Sequence, residues 1–462
     1  MQPSTAILLG AGDRGAIYAA YALRHPASLR IVAVAEPVAE RRRRTVRLHG
    51  IPEDNVFASW EELLDRPRMA DGAIIATQDA MHTVPAINAL ARGYHVLLEK
   101  PMALTEEECR AIVDAAEASG RSLCVCHVLR YTALFRAVKN IIDSGTIGRV
   151  HTIYHAENVA YYHMAHSFVR GNWGNSDESS PMILAKCSHD LDLLYWFAGS
   201  PPRSVASAGG LDHFTAANAP PGAPLRCTDG CPVAGTCPYD AVATYLYGAP
   251  LKKALAMMNA GALSLAARVL LGAPGLSRFI PGLRAYALWR EWPTSTITDD
   301  LSEAGVMRAL REGPYGRCVY RCDNDQVDHQ ETVIGFENGA TAVLRMHGFS
   351  AMEGRSLRID GSAGSLRARF GAGGALEVAP HGSSRVKRYH VRTDLLGHSE
   401  GDEGIMENYV SVLAGGHSLT SARESLQSHL MAFAANRSRL EGRIIRFRSE
   451  EHTSELQSRV DI

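Results

Sequence analysis

Over roughly the first 130 residues, short wholly apolar runs alternate with stretches whose apolar positions recur every three to four residues. "TAILL", "RIVAVA", "GAIIA", "HVLL" and "SLCVC" read as buried strands. Between them, "RGAIYAAYAL", "TVPAINALA" and "TEEECRAIVDAAEAS" read as helices, the last opened by Thr105 with Glu108 three residues on, a capping-box pattern. Strict alternation of strand and helix predicts a parallel sheet covered on both faces, with ligands beyond the C-terminal strand ends. After "RYTALFRAVKNIIDSGTIGRV", a helix and a turn, the period changes to two. "HTIYHAENVAYYH", "QETVIGFENGATAVLRMHGF", "RSLRIDGSAGSLRARF" and "RVKRYHVRT" predict strands and hairpins turned at ENG and GSAG, hence a mostly antiparallel, open sheet. The expected fold is α/β: a parallel-sheet domain over residues 1–128, then an α+β domain over 129–447 with an insertion at about 213–325.

Composition changes this picture little. The chain has 462 residues, 46% of them hydrophobic, which allows two or three domains with cores of their own. Lys plus Arg (48) and Asp plus Glu (49) nearly cancel, so no global field recruits nucleic acid or an anionic membrane. The run Arg41 to Arg44 reads as a solvated helix face. "MQPSTAILLGAG" has no basic region ahead of a long apolar run, so a cytoplasmic protein is expected. "ALAMMNAGALSLAARVLLG" meets Arg268 after fourteen uncharged residues, which favours a buried or groove-lining helix over a span. "RSEEHTSELQS" matches the in-frame translation of a common sequencing adapter, so residues 448–462 are set aside.

The candidate chemistry begins at Gly10, Gly12 and Gly15, a G-x-G-x-x-G that follows a strand and opens a helix. There the glycines allow a tight turn, approach of a pyrophosphate and close helix-strand packing, as in a Rossmann domain. Glu36 ends the second strand, where a carboxylate accepts both ribose hydroxyls and repels a 2′-phosphate, favouring NAD over NADP. Arg14 in the glycine turn, Thr77, Gln78 and His82 after the third long strand, and Glu99 after the next are further cofactor-side candidates by their position at strand ends.

"HVLLEKP" finishes a core strand with two charges and a proline, and charges so placed must be solvated, paired or employed. Together with the glycine pattern, Glu36, "ATQDAMHTVPAINALARGYHVLLEKP" and "SGTIGRV", it resembles the glucose-fructose oxidoreductase, inositol dehydrogenase and rhizopine catabolism family, Gfo/Idh/MocA, up to about residue 447. The resemblance implies that Lys100 sits beside the nicotinamide and hydrogen-bonds the reacting hydroxyl. It also implies that His189, in "AKCSHD", is the acid/base of the family's D-x-G-x-H pattern. The aspartate position holds Ala185 and the glycine position Cys187, with Lys186 between them as a substitute polariser or substrate anchor. A homodimer or homotetramer through the open sheet is expected on the same ground.

Substrate contacts are sought in "HMAHSFVRGNWGNSDESS", where His163, Arg170, Asn172 and Trp173 offer donors and one aromatic face suited to a polyol or sugar. Asp190 beside His189, and Tyr131 at the domain junction, complete the candidates. Cys227, Cys231 and Cys237, with Cys318 or Cys322, have the ligands of a four-sulfur zinc site but not the tight C-x-x-C spacing, so zinc is possible but no metal is expected. The sequence therefore predicts an NAD-dependent oxidoreductase acting on a sugar, cyclitol or related polyol. The alternatives are a redox-neutral NAD-dependent glycosidase of the same family and an inactive NAD-binding sensor.

Overall fold

The computed structural model describes residues 2–258, 261–273, 286–371, 374–391 and 399–447. The adapter-like tail lies outside them. The nucleotide half is a six-stranded parallel sheet of β1 (Ser4–Leu9), β2 (Leu29–Ala35), β3 (Val56–Phe57), β4 (Gly72–Ile75), β5 (His95–Leu98) and β6 (Leu123–Val125), in the order β3-β2-β1-β4-β5-β6. Its strands are apolar over their central and C-terminal positions because both faces are covered there, with polar residues such as Ser4, Thr5 and Arg30 confined to the strand starts. Along β1, Ile7 and Leu9 enter one core while Ala6 and Leu8 enter the other. The strand order reverses between β1 and β4, which opens a crevice at their C-terminal ends.

The second half is a nine-stranded sheet in the order β14-β13-β12-β11-β7-β10-β9-β8-β15. Its strands are β7 (Val150–Ala160), β8 (Pro202–Gly210), β9 (His329–Phe336), β10 (Thr341–Ser350), β11 (Gly354–Gly361), β12 (Gly364–Gly371), β13 (Ala375–Pro380), β14 (Lys387–Tyr389) and β15 (Ile445–Arg446). All pairings are antiparallel except that of β7 with β10. One face packs helices; the other is open, so that Tyr154 and Val333 are about half exposed while Ile153 and Ile334 are buried. β8 pairs directly with β9, and the chain between them forms a helical lobe with its own small core of Ala241, Tyr245, Leu246, Val306 and Leu310.

Two late helices join the halves. Helix Ser399–Leu413 returns to the nucleotide sheet, burying Ile405, Met406, Tyr409 and Val412, and the Tyr409 hydroxyl donates to the carbonyls of Ala73 and His95 at 3.2 and 2.9 Å. Helix Ala422–Glu441 serves both cores: Leu426 and Leu430 enter one, Met431 and Ala435 the other. Each fully buried leucine or methionine contributes about 1.5–3 kcal/mol, so this helix fixes the cleft between the sheets.

The membrane-like segment departs from expectation. It divides into helices Ala249–Met257, closed by an extended Met258 at ψ 144°, and Ala262–Gly272, preceded by Gly261 at φ 59°. Met257, Leu263 and Leu265 are more than half exposed, so the segment is not buried as one helix. Among the described residues no helix is long and apolar enough to cross a membrane.

Candidate active site

The glycine loop is shaped by close approaches. Gly10 has φ 87°, and a Cβ there would stand 2.5 Å from the Ala76 carbonyl oxygen; a Cβ at Gly15 would stand 2.0 Å from the Gly10 carbonyl oxygen. Gly12 differs, because a Cβ there would meet only Arg41 Nη1, at 3.8 Å. Open space thus lies before helix Asp13–Arg24, whose N-terminus no side chain caps. That is a cradle for a pyrophosphate. Glu36 is buried beside it: its Oε2 accepts the Ala11 N–H at 2.7 Å and its Oε1 the Val38 N–H at 2.9 Å. Both oxygens are fixed, and each keeps a lone pair for a ribose hydroxyl. The residues present therefore fit a dinucleotide.

Other cofactor-side candidates form the loop's scaffold. Arg14 donates from Nε to Glu99 and from Nη2 to Asp402, both at 2.6 Å, and Tyr18 donates to Glu99 at 2.7 Å. Burial alone would push the Glu99 carboxyl up, but Arg14 and Lys100 outweigh it and hold Glu99 below its ordinary value. His82 ties two loops, with Nδ1 2.7 Å from the Pro101 carbonyl and Nε2 3.2 Å from that of Thr77, whose hydroxyl donates to Met81 O at 2.9 Å. Gln78 is exposed at the start of the same loop.

Lys100 follows β5, ahead of a cis peptide to Pro101, and is half-buried. Its Nζ donates to the Ala185 carbonyl at 2.7 Å. Ala185 ends the short helix Met182–Ala185, which runs into helix Ser188–Ala198 with His189 in its first turn. The ammonium of one half thus touches the chain one turn ahead of the imidazole of the other. Burial and the neighbouring Lys186 pull the Lys100 ammonium below its ordinary value, against Glu99 and Asp79.

His189 is buried, its ring edge-on to His127 at 5.8 Å between centroids, and His127 lies 5.8 Å from His429. His429 accepts the Met102 N–H at Nε2 (2.8 Å) and lies 2.8 Å from Ser425 O at Nδ1, which places its hydrogen on Nδ1. Burial pushes His429 down to about 3, and burial with Arg130 and Lys100 holds His127 well below its ordinary value. The catalytic candidates are therefore backed by neutral rings.

A buried charge cluster occupies the sheet side. Asp190 accepts Arg355 Nε at 2.7 Å and lies 2.6 Å from His155 Nε2. Arg355 stands opposite Glu157 in the β11–β7 register, with Nη2 2.8 Å from Glu157 Oε2. Lys186 Nζ lies 3.4 Å from Glu157 Oε1. Burial raises Glu157 to about 7 despite Arg355, whereas Asp190, which burial would raise, is held well below by Arg355 and His155. Burial would lower Lys186, but Glu353, Glu157 and Asp190 raise it.

The remaining candidates are dispersed. Trp173 donates from Nε1 to Asp79 at 3.0 Å and so bridges the two halves, while its neighbour Asn172 is exposed. His163 lies 2.5 Å from Glu353 Oε1. Tyr131 donates to Asn408 at 2.9 Å. Arg170 is buried in the helical lobe, donating to the carbonyls of Arg317 and Tyr239 at 2.7 Å and to Cys227 Sγ at 3.6 Å. Cys227, Cys231, Cys237 and Cys318 line a small cavity beside it, and Cys322 Sγ lies 3.3 Å from Cys318 O. Among the described residues no three His, Cys, Asp or Glu side chains are arranged to hold a metal ion.

With this geometry in place, the comparisons decide the family. The profile of the oxidoreductase family NAD-binding Rossmann fold, GFO_IDH_MocA, matches residues 5–127, and that of the GFO/IDH/MocA C-terminal domain matches residues 135–245. The chain belongs to the GFO/IDH/MocA oxidoreductase family.

Among curated GFO/IDH/MocA relatives, the inositol 2-dehydrogenase of Ralstonia nicotianae is 29% identical over 193 residues, 42% of this chain and 53% of that protein. That of Streptomyces avermitilis is 30% identical over 199 residues, 43% and 54%. The chain thus spans about half the length of the curated relatives it matches. An oxidoreductase from Agrobacterium radiobacter, solved with NAD+, L-tartaric acid and magnesium, has a TM-score of 0.63 at 16% identity, covering 96% of this chain and 98% of that one. The WlbA dehydrogenase from Bordetella pertussis, solved with NADH and UDP-GlcNAcA, has 0.60 at 17%, covering 97% and 100%. At such identities the likeness shows the GFO/IDH/MocA fold alone.

Sequence reasoning passed over Glu157, Arg355 and Glu353. A signal existed for two of them: Glu157 shares the phase of Ile153 and Val159 in β7, and Arg355 that of Leu357 and Ile359 in β11, so both point inward. Glu353, in a turn, carried none.

Proposed function

We propose that this GFO/IDH/MocA protein is an NAD-dependent dehydrogenase that moves a hydride between the cofactor and a secondary carbinol of a sugar, cyclitol or related polyol. The observation that carries this reading is the 2.7 Å contact of Lys100 with the carbonyl of Ala185, which brings an ammonium at a strand end to the segment bearing His189. The cofactor, when bound, supplies the hydride acceptor. Gly10, Gly12 and Gly15 would hold its pyrophosphate, and the carboxylate of Glu36 favours the free ribose hydroxyls of NAD over NADP. Lys100 stabilises the alkoxide as the hydroxyl proton leaves, an effect strengthened by its burial. His189 holds the hydroxyl from the other side, and Lys186, fixed by Glu157, anchors a neighbouring oxygen. The inositol 2-dehydrogenase relatives support a cyclitol or similar polyol.

The test follows absorbance of reduced nicotinamide across a panel of cyclitols and sugars. Lys100→Ala is expected to lower kcat about 100-fold or more, by loss of the alkoxide's charge partner, while leaving NAD affinity unchanged. Undiminished turnover removes Lys100 from the reaction. Release of alcohol from an aryl glycoside without net reduction replaces this reading by the redox-neutral one, and NAD binding with neither activity by the sensor.

A further inference from the structure

Position 185 lacks the carboxylate that would assist proton transfer, yet a different imidazole-carboxylate pair lies in the same neighbourhood. His163 Nδ1 stands 2.5 Å from Glu353 Oε1, and that oxygen also accepts the Ala160 N–H at 3.2 Å. A carboxylate that takes a main-chain hydrogen can only accept, so the histidine hydrogen lies on Nδ1 and Nε2 carries the free lone pair. Nε2 has no hydrogen-bond partner among the described residues. The pair is held from several sides: His163 ends the turn Tyr161–His163 after β7, Glu353 occupies the turn between β10 and β11, and Trp292 of the helical lobe packs edge-on to the imidazole at 5.0 Å between centroids.

Its place is beside the proposed site. Glu353 takes the N–H of Ala160 at the end of β7, the strand whose Glu157 lies 3.4 Å from Lys186 Nζ, and the residue before Lys186, Ala185, is the one whose carbonyl Lys100 meets at 2.7 Å; both ammoniums favour the neutral form of His163. On the other side, Phe168 links His163 to Trp173 through ring contacts of 6.3 and 6.1 Å, and Trp173 reaches Asp79 of the nucleotide half. His163 also has 22% of its side chain exposed, whereas His127 has none, so a proton taken up here has a way to water.

We propose that His163 is the proton acceptor of this cleft, with Glu353 as its positioning residue. The proposal rests on the dehydrogenase reading. The substrate O–H bond breaks and the proton goes to His163 Nε2. The C–H hydrogen would leave with its bonding pair, as a hydride, to NAD, the oxidant, as the carbonyl forms. The imidazolium, stabilised by Glu353, then releases the proton to solvent. Such a group contributes about 100- to 10,000-fold to a rate. The charged and titratable groups around it are Glu353, Lys186 and Lys100, with His166 and Tyr162 adjacent; burial and the two ammoniums keep His163 neutral and ready to accept, while Glu353 opposes them.

The experiment uses the full chain with NAD and has two readouts. In turnover, His163→Asn is expected to lower kcat about 100-fold or more, to abolish the acid limb of the kcat profile, and to be partly rescued by added imidazole. Glu353→Gln is expected to lower kcat with little change in KM and to move the acid limb to lower pH, because an anion that favours the imidazolium is gone. Independently of turnover, NMR of ring-labelled histidine in the NAD complex should show the His163 titration moving to lower pH in Glu353→Gln. A His163→Asn enzyme with wild-type kcat and pH profile overturns the proposal, as does a His163 titration indifferent to Glu353→Gln. Wild-type protein that reduces no NAD with any polyol, but shows the coupled titration, sinks the dehydrogenase reading and leaves the pair intact.

Discussion

Glu157 offers the sharpest physical test of the charge cluster. Its side chain has no exposure, it stands opposite Arg355 in the sheet register, and burial raises its pKa from the ordinary 4.5 to about 7. Between these values the folded state binds a proton that the unfolded chain has released, so this group's contribution is fully present below about pH 4.5 and is lost as pH rises through 7. The gap corresponds to about 3 kcal/mol at 1.36 kcal/mol per unit. Glu157→Gln keeps the shape and the neutral form and removes the titration. Relative to the wild type, the variant is therefore expected to gain stability with rising pH, by about 3 kcal/mol between pH 4.5 and pH 8. For the domain of residues 129–447, at about 2.1 cal/mol/K of unfolding entropy per residue, that is roughly 4–5 °C in Tm. Scanning calorimetry of both proteins at the two pH values measures it, and the difference between proteins cancels Asp190 and Glu353, which lose their contributions only in acid. A constant Tm difference across the window would refute the reasoning, since Glu157 would then be an ordinary carboxylate at pH 5.

Three further outcomes follow from other parts of the structure. Gly15→Ala places a Cβ 2.0 Å from the Gly10 carbonyl oxygen, so the glycine loop must shift; NAD affinity by titration calorimetry is expected to fall at least about 10-fold, from about 1–3 kcal/mol of overpacking strain. Arg130→Met removes the fork that meets Asp192 at 2.7 and 2.8 Å and leaves that carboxylate buried, at a cost of about 3–5 kcal/mol in denaturant unfolding; a change under 1 kcal/mol would show that Asp192 is not ionised there. The open sheet face, with Tyr154 and Val333 about half exposed, is the expected homodimer contact, so the double variant Tyr154→Glu with Val333→Glu should give the monomer mass in light scattering, and an unchanged dimer mass moves the interface elsewhere.

How much of this was legible depends on whether a pattern is local. The parallel sheet was legible because its strands are buried on both faces, which only continuous apolar runs can supply, and the capping box at Thr105 is present as read. Gly10 and Gly15 were legible because backbone approaches of 2.5 and 2.0 Å admit no side chain. Three features were not. The parallel pairing of β7 with β10 joins residues about 190 apart, so no hairpin signal announces it. Helix Ser399–Leu413 docks on the nucleotide sheet although it follows the second sheet in sequence, a choice made by the Tyr409 and Ile405 face meeting β4 and β5. The apolar segment around Gly261 was legible as helix but not as two pieces, since the break starts at an extended Met258 inside a continuous apolar run. At the site, the strand-end position of Lys100 announced itself, whereas Arg170 read as a ligand for hydroxyls and lies among carbonyls and thiols that only the folded lobe assembles.

The substitution at position 185 changes the electrostatics of Lys100 and not only the list of catalytic groups. A carboxylate side chain in reach of Lys100 would hold its ammonium charged and raise its pKa. The Ala185 carbonyl accepts the same hydrogen but carries no net charge, so burial and Lys186 prevail and the ammonium is pulled down. A lowered ammonium lies nearer the working pH and shares a proton more readily with an alkoxide. Two ammoniums in one cleft repel, and the protein offsets this by giving each its own carboxylates: Glu99 and Asp79 act on Lys100, Glu353 and Glu157 on Lys186. The anionic charge absent at position 185 is thus distributed over β7 and the turn after β10, and the pair His163–Glu353 occupies the end of that distribution nearest to water.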